Sequence, residues 1–261
     1  MSILDKNAAL AARVEEAAEV AGYLWTKGWA ERNGGNLTID VTELAEFGEY
    51  APIAGPFGLG VTLRHLKGRY FFCKGTGKRM RDLARAPMHH GSIISILPSC
   101  DSYEIIADEA IMPTSELVAH LMAQDMLTKR DGACHATLHA HPTELTAMSH
   151  NDDFLGRGVL TRLLWSMIPE AKMFCPKGLG VLPYQKTGTL ELACDTAKML
   201  EEYDVVLWEK HGVFVADKDI LSAFDQLDVL NKSALIYQSA CTMGFAPSGL
   251  TNRQLEELAG K

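Results

Sequence analysis

The chain lacks a long apolar run: no stretch of its 261 residues approaches the roughly twenty that a membrane-crossing helix needs. Its opening, MSILDKNAALAARVEEAAEV, is interrupted by Asp5, Lys6, Arg13, Glu15 and Glu16, so the apolar centre of a secretory leader is missing too. Cysteine is sparse and scattered, at 73, 100, 134, 175, 194 and 241, with none of the close pairs of a zinc ribbon or redox motif. Together these absences imply reduced thiols and a cytoplasmic protein. There is no excess of positive charge. Lysine and arginine number 25 against 33 aspartates and glutamates, a formal net charge of −8, which argues against nucleic acid as a partner because binding it needs a basic surface. An anionic ligand must therefore meet a local positive site. Repeats and low-complexity tracts are also absent, and 47% hydrophobic with 22% charged residues is an ordinary globular composition.

The periodicity predicts an amphipathic opening helix carrying Leu10, Val14, Ala17, Ala18, Ala21, Leu24 and Trp25 on one face, stopped by Gly28. Asn33-Gly34-Gly35-Asn36 forces a turn, and the Pro- and Gly-rich segment 51–60 reads as an excursion between strands. SIISIL and YEIIA, separated by Pro98-Ser99-Cys100-Asp101, read as an antiparallel hairpin, and a helix starts at Thr114 or Ser115. Further helices are expected near 157–168, 188–203 and 218–240, and strands near 134–140, 172–175, 204–208 and 213–216. Thr251 and Gln254 at capping-box spacing predict one more short helix. Hairpins interleaved with helices favour a mixed sheet covered by helices over a purely parallel, doubly wound one.

The most informative spacing is His139-Ala140-His141, after an apolar-leaning run and directly before Pro142. On a strand, residues i and i+2 share a face with α-carbons about 7 Å apart, close enough for two imidazoles to grip one metal ion. His211, in WEKHGVF, offers a third imidazole beside a glycine turn. Three histidines leave a coordination position for substrate, and a site without thiolates suits zinc first, with cobalt or manganese able to substitute. His135 and His150 read as ordinary polar residues. Gly75-Thr76-Gly77-Lys78 follows a strand-like run and could cradle phosphate with its backbone N–H groups and the Thr76 hydroxyl, although such a loop is also a common turn. Asn33-Gly34-Gly35-Asn36 carries the same two readings. In Pro113-Thr114-Ser115-Glu116 the hydroxyls suit a helix cap and Glu116 suits the first turn. A carboxylate near a metal-polarised carbonyl can also move the proton of the adjacent C–H, and Ser115 and Thr114 can donate to phosphate.

ERNGGNLT (31–38), GTGK (75–78), PTSEL (113–117), HAH (139–141) and VLWEKHGVF (206–214), in this order, resemble the class II aldolase and adducin family, and within it the branch acting on rhamnulose 1-phosphate. The resemblance implies a single domain over 1–261, of three-layer α/β/α type with a central, mostly antiparallel mixed sheet, assembled as a homotetramer. It implies zinc, Zn2+, on His139, His141 and His211, and substrate phosphate at Asn33, Asn36, Thr76, Gly77 and Ser115. Glu116 falls on the catalytic carboxylate and Glu170 on a second acid/base. The implied reaction is reversible cleavage of L-rhamnulose 1-phosphate to dihydroxyacetone phosphate and L-lactaldehyde. Fuculose-1-phosphate cleavage or 4-epimerisation of a pentulose phosphate on the same fold stays open, as does a non-catalytic adducin-like scaffold. Thr76 stands where the family more often carries serine, and the residues flanking Glu170 match the family pattern poorly.

Overall fold

The structure, a computed structural model, describes residues 3–106 and 108–258. The strands are β1 (Asn36–Asp40), β2 (Ala54–Gly58), β3 (Tyr70–Lys74), β4 (Gly91–Ile96), β5 (Ser102–Ile105), β6 (Ala136–Ala140), β7 (Leu179–Leu182), β8 (Val205–Trp208) and β9 (Gly212–Asp217). The helices are α1 (Ala8–Thr26), α2 (Met80–Leu83), α3 (Pro87–His90), α4 (Leu117–Asp131), α5 (Thr143–Met148), α6 (Val159–Met167), α7 (Pro169–Phe174), α8 (Leu190–Glu202), α9 (Ile220–Thr242) and α10 (Asn252–Leu258).

All nine strands form one sheet in the order β2-β5-β4-β3-β1-β6-β9-β8-β7. Every neighbouring pair is antiparallel except β7 and β8. Side chains alternate across the pleat. Leu37, Ile39, Phe72, Leu138, Val213 and Val215 share one cluster with Leu24 of α1 and Leu227 of α9. On the opposite face, Phe71 and Ile94 pack with Leu117 and Leu121 of α4, while Val206, Trp208 and Phe214 pack with Ala119 of α4 and Leu192 of α8. Helices on both faces make the architecture three-layer α/β/α. With both faces covered, β1 and β6 are buried along their whole length. Among the described residues no helix is long and apolar enough to cross a membrane, and all six cysteines are free.

Four local expectations change. Segment 51–60 contains the edge strand β2, paired with β5 through a register shift between Ala54 and Phe57; Pro56 is tolerated there because an edge strand has a side with no partner to donate to. Residues 172–174 belong to helix α7, which Pro169 starts at the position where its missing N–H costs nothing, and the next strand begins at Leu179. Trp25 leaves the buried face of α1: it is 42% exposed, with the Arg81 guanidinium 5.0 Å from its ring centroid. Finally, α4 begins at Leu117 with Glu116 itself at the cap position and no side chain capping it. The β4–β5 hairpin, the remaining helices and the Thr251–Gln254 capping box form as expected, with Ala107, the end of the YEIIA run, lying outside the described residues.

Gly178 positions β7. Its φ is +76°, and a Cβ there would lie 2.3 Å from Thr161 Cγ2. Thr161 cannot swing away freely, because its hydroxyl both donates to Leu179 O (2.8 Å) and accepts from Leu179 N (2.9 Å). Left-handed strain plus overpacking should make Gly178→Ala cost about 2–4 kcal/mol. A thermal melt should show Tm lower by roughly 5–15 °C; an unchanged Tm would show that this junction yields without cost.

Candidate functional site

Strand pairing sets the site. Asn36 on β1 lies directly opposite His139 on β6, and His139 lies opposite Phe214 on β9. His141 follows β6 at the i+2 position. His211 sits in the short turn joining β8 to β9, where Trp208 pairs with Gly212 and Lys210 takes a left-handed φ of 58°. Gly212 is required by proximity: a Cβ there would fall 2.5 Å from Ala140 O and 2.8 Å from the His141 ring. This close approach lets the turn bring His211 onto the other two imidazoles.

One ring nitrogen from each of His139, His141 and His211 lies within 4.8 Å of the others. His139 Nδ1 is 3.0 Å from Val213 O and His141 Nδ1 is 2.7 Å from Glu31 Oε1, so each ring donates from Nδ1. In a neutral imidazole that leaves the lone pair on Nε2. The two Nε2 atoms face each other at 3.1 Å. Two bare acceptors cannot bond to each other, and a cation between them satisfies both. His211 Nδ1 is buried and without a partner. Burial, with neighbouring imidazoles adding to it, holds His139 far below the usual histidine range and brings His211 down to about 4, so both stay neutral near pH 7. The donor set therefore fits a metal ion bound by three imidazoles with a position left over.

Glu116 approaches this cluster, its Oε2 lying 3.7 Å from His139 Nε2 and accepting from Asn36 Nδ2 at 2.8 Å. Burial raises its carboxyl pKa, and the Asn36 hydrogen bond, with His141 and Lys74, opposes the rise. Its own N–H donates to Thr114 Oγ1 at 3.3 Å, while its carboxylate turns inward to Asn36 instead of capping α4. Asn36 is held in turn by His120, which sits between Asn36 Oδ1 and Thr137 Oγ1. Burial brings His120 down to about 3, so it is a neutral spacer.

A cavity of about 170 Å³ opens beside the imidazoles. Asn33, Asn36, Thr76, Gly77, Ser115 and Glu116 all line it with the three histidines, so residues far apart in sequence converge there. Glu170 is not among the lining residues; it is exposed on α7. A larger groove of about 410 Å³ lies beside β7, but no imidazole lines it, and donor chemistry outweighs volume here. The sequence reading missed Lys74, Glu31, His120 and Thr187. Lys74 and Thr187 line the cavity, Glu31 orients His141, and His120 holds Asn36. Glu31 opens the ERNGGNLT motif and Lys74 directly precedes the Gly75-Thr76-Gly77 loop, and those placements are the signal the sequence offers.

Glu31 is exposed, so its removal tests ligand orientation without disturbing the core. Glu31→Ala should weaken Co2+ binding, followed by visible absorption, about 10–100-fold, and Glu31→Gln, which keeps an acceptor, should lose less. Equal affinity in all three proteins would remove Glu31 from that role.

The family described as Class II Aldolase and Adducin N-terminal domain matches residues 15–238. A rhamnulose-1-phosphate aldolase of Bacteroides thetaiotaomicron is 56% identical over 260 residues, covering 99% of this chain and 97% of that protein. A sugar-phosphate aldolase structure from Thermotoga maritima superposes with a TM-score of 0.79 at 30% identity, covering 91% of this chain and 98% of that one. An L-fuculose-1-phosphate aldolase from Thermus thermophilus, at 20% identity and a TM-score of 0.53 over 90% of this chain and 99% of that one, shares the fold. The convergent imidazoles, the loops around them and these likenesses agree: the chain belongs to the class II aldolase and adducin family.

Proposed function

We propose that this chain is a zinc-dependent aldolase that reversibly cleaves L-rhamnulose 1-phosphate to dihydroxyacetone phosphate and L-lactaldehyde. The observation that carries the reading is the meeting of three imidazoles and one buried carboxylate beside a cavity walled by two glycine-rich loops. The relative at 56% identity, whose name specifies this substrate, supports the choice of sugar.

His139, His141 and His211 hold the ion, and imidazoles without thiolates favour zinc. When bound, the ion would supply a Lewis acid that draws electron density from the ketose carbonyl. Asn33, Asn36, Thr76, Gly77 and Ser115 hold the phosphate through amide, hydroxyl and backbone N–H donors. In cleavage the C4 hydroxyl gives up its proton, and the C3–C4 bond breaks with its electron pair left on the ketose fragment. Glu116 then returns a proton to C3, and in the aldol direction it removes that proton. Burial suits Glu116 to both directions, because a raised carboxyl pKa brings its acid and base forms closer in energy near neutrality.

Glu170 is the second acid/base, handling the C4 oxygen proton. Its exposed place on α7, away from its own chain's cavity, is compatible with supply from a neighbouring copy in a homotetramer of single-domain, cytoplasmic subunits.

Purified protein should contain about one zinc per chain, lose activity with a chelator, and release lactaldehyde from L-rhamnulose 1-phosphate faster than from other ketose 1-phosphates. Epimer instead of aldehyde, or purified protein without bound metal, would replace this reading with the epimerase or the scaffold. Glu116→Gln should keep its metal yet slow exchange of the C3 proton of dihydroxyacetone phosphate by about 100-fold or more, and undiminished exchange would remove Glu116 from the proton step. His139→Ala and His211→Ala should lose the metal by elemental analysis; full occupancy in either would refute the ligand assignment.

A further inference from the structure

His139 and His141 each have a partner on Nδ1, whereas His211 Nδ1 is buried and, among the described residues, without one. The Trp208 indole stacks on the His211 ring, with 5.2 Å between centroids and 24° between planes. A stacked face limits tilting but lets the ring slide, so the backbone that carries His211 must fix where its nitrogens lie. That backbone is a turn under strain. Lys210, directly before His211, holds a φ of 58°, a left-handed state that is costly for a residue with a Cβ, and lysine has no short polar side chain to compensate. His211 N donates back to Trp208 O at 3.0 Å, which closes the turn without tying it to anything beyond β8.

Two contacts anchor the turn from outside. Glu209 N donates to Leu182 O of β7 at 3.0 Å. Lys210 N donates at 2.8 Å to the hydroxyl of Ser149, a fully buried residue whose hydroxyl in turn donates to Thr146 O at 2.7 Å. Ser149 directly follows α5, and α5 begins two residues after His141. That helix is clamped to α9: Asn231 Oδ1 accepts from Leu145 N at 3.3 Å, Asn231 Nδ2 donates to Glu144 Oε2 at 2.8 Å, and Gln238 Nε2 donates to Glu144 O at 2.8 Å. Ser149 therefore ties a braced extension of the His139–His141 strand to the turn that bears the third imidazole. A serine at a helix end commonly returns its hydroxyl to the i−3 carbonyl, which accounts for the bond to Thr146 and leaves the bond from Lys210 without a purpose in the helix.

We propose that Ser149 is a positioning residue for the imidazole cluster: by holding the Lys210 N–H it fixes the left-handed turn that presents His211 to His139 and His141. It does through the backbone what the Val213 carbonyl and Glu31 do through the ring nitrogens of the other two. The proposal rests on the reading of the three imidazoles as ligands of one ion, and adds to that centre a residue 61 positions from Lys210 in the chain. Without the bond the third imidazole samples several places, and an ion gains less from it.

The test is titration of the folded, metal-free protein with Co2+, followed by visible absorption, alongside hydrogen exchange at the Lys210 amide. Ser149→Ala removes the hydroxyl. Ser149→Thr keeps it, and Ser149→Val matches the Thr variant in shape without it, so that this pair separates the hydroxyl from packing and carries the test if the Ala variant does not fold. The Ala and Val variants should bind Co2+ about tenfold more weakly than wild type, with faster exchange at Lys210, and the Thr variant should stay within about threefold. Faster exchange in the Ala variant with Co2+ affinity within about twofold of wild type would overturn the proposal and leave Ser149 a helix-end residue. Equal losses in the Thr and Val variants would overturn it too, placing the effect in the packing around α5. Wild-type protein that binds no Co2+ would refute the ligand reading itself and the proposal with it, whereas the loss confined to variants lacking the hydroxyl supports both.

Discussion

Three imidazoles must remain neutral, with lone pairs directed at one point, for anything else in this site to matter. For two of the rings, neutrality has a visible cause, and for two the direction of the lone pair has one. Burial keeps His139 and His211 from protonating. The Val213 carbonyl and the Glu31 carboxylate accept hydrogen bonds from the Nδ1–H groups of His139 and His141 and so aim both Nε2 atoms inward. The antiparallel pairing of β6 with β9 places Val213 where it can serve, one residue from the Phe214 that opposes His139. Backbone register, more than any single side chain, is what makes the cluster specific.

Behind the imidazoles runs a polar seam inside an otherwise apolar sandwich. Thr137 on β6 meets His120 and Gln124 of α4, both nearly inaccessible to solvent. With His120 donating to Asn36 Oδ1, its Nδ1 accepts from the Thr137 hydroxyl, which in turn accepts from Gln124 Nε2 at 3.4 Å. The donors thus run in one direction, from Gln124 through Thr137, His120 and Asn36 to the Glu116 carboxylate. In a low dielectric such an aligned chain stabilises the charged end, which offsets part of the rise that burial imposes on the Glu116 carboxyl.

Much of this was legible in the sequence because it follows from short-range periodicity. The His-x-His alternation, the Gly212 turn, the β4–β5 hairpin and the long amphipathic helices are local patterns, and the structure keeps them. What was not legible depends on partners distant in the chain. Segment 51–60 is rich in turn residues and becomes a strand only because β5 offers it an edge. The run at 172–174 is apolar enough for a strand, yet Pro169 starts a helix that leaves Met173 and Phe174 exposed. Glu116 sits where a dipole-compensating carboxylate belongs, and only the approach of Asn36, 80 residues away, shows that it turns inward. Lys74 reads as the polar end of a strand until its burial and its bond to Asn33, 41 residues distant, are seen.

The cavity is assembled from six stretches of chain, around residues 33, 76, 115, 140, 187 and 211, none of which is adjacent to another in sequence. No single stretch of the polypeptide carries more than a few of its lining residues, so the pocket exists only where β1, β3, β6 and the β8–β9 turn come together. An ion or substrate that prefers the finished arrangement then acts as a late fastener, adding stability in proportion to the logarithm of its concentration over its dissociation constant. For a chain built this way, ligand occupancy and the population of the folded form become two readings of the same equilibrium.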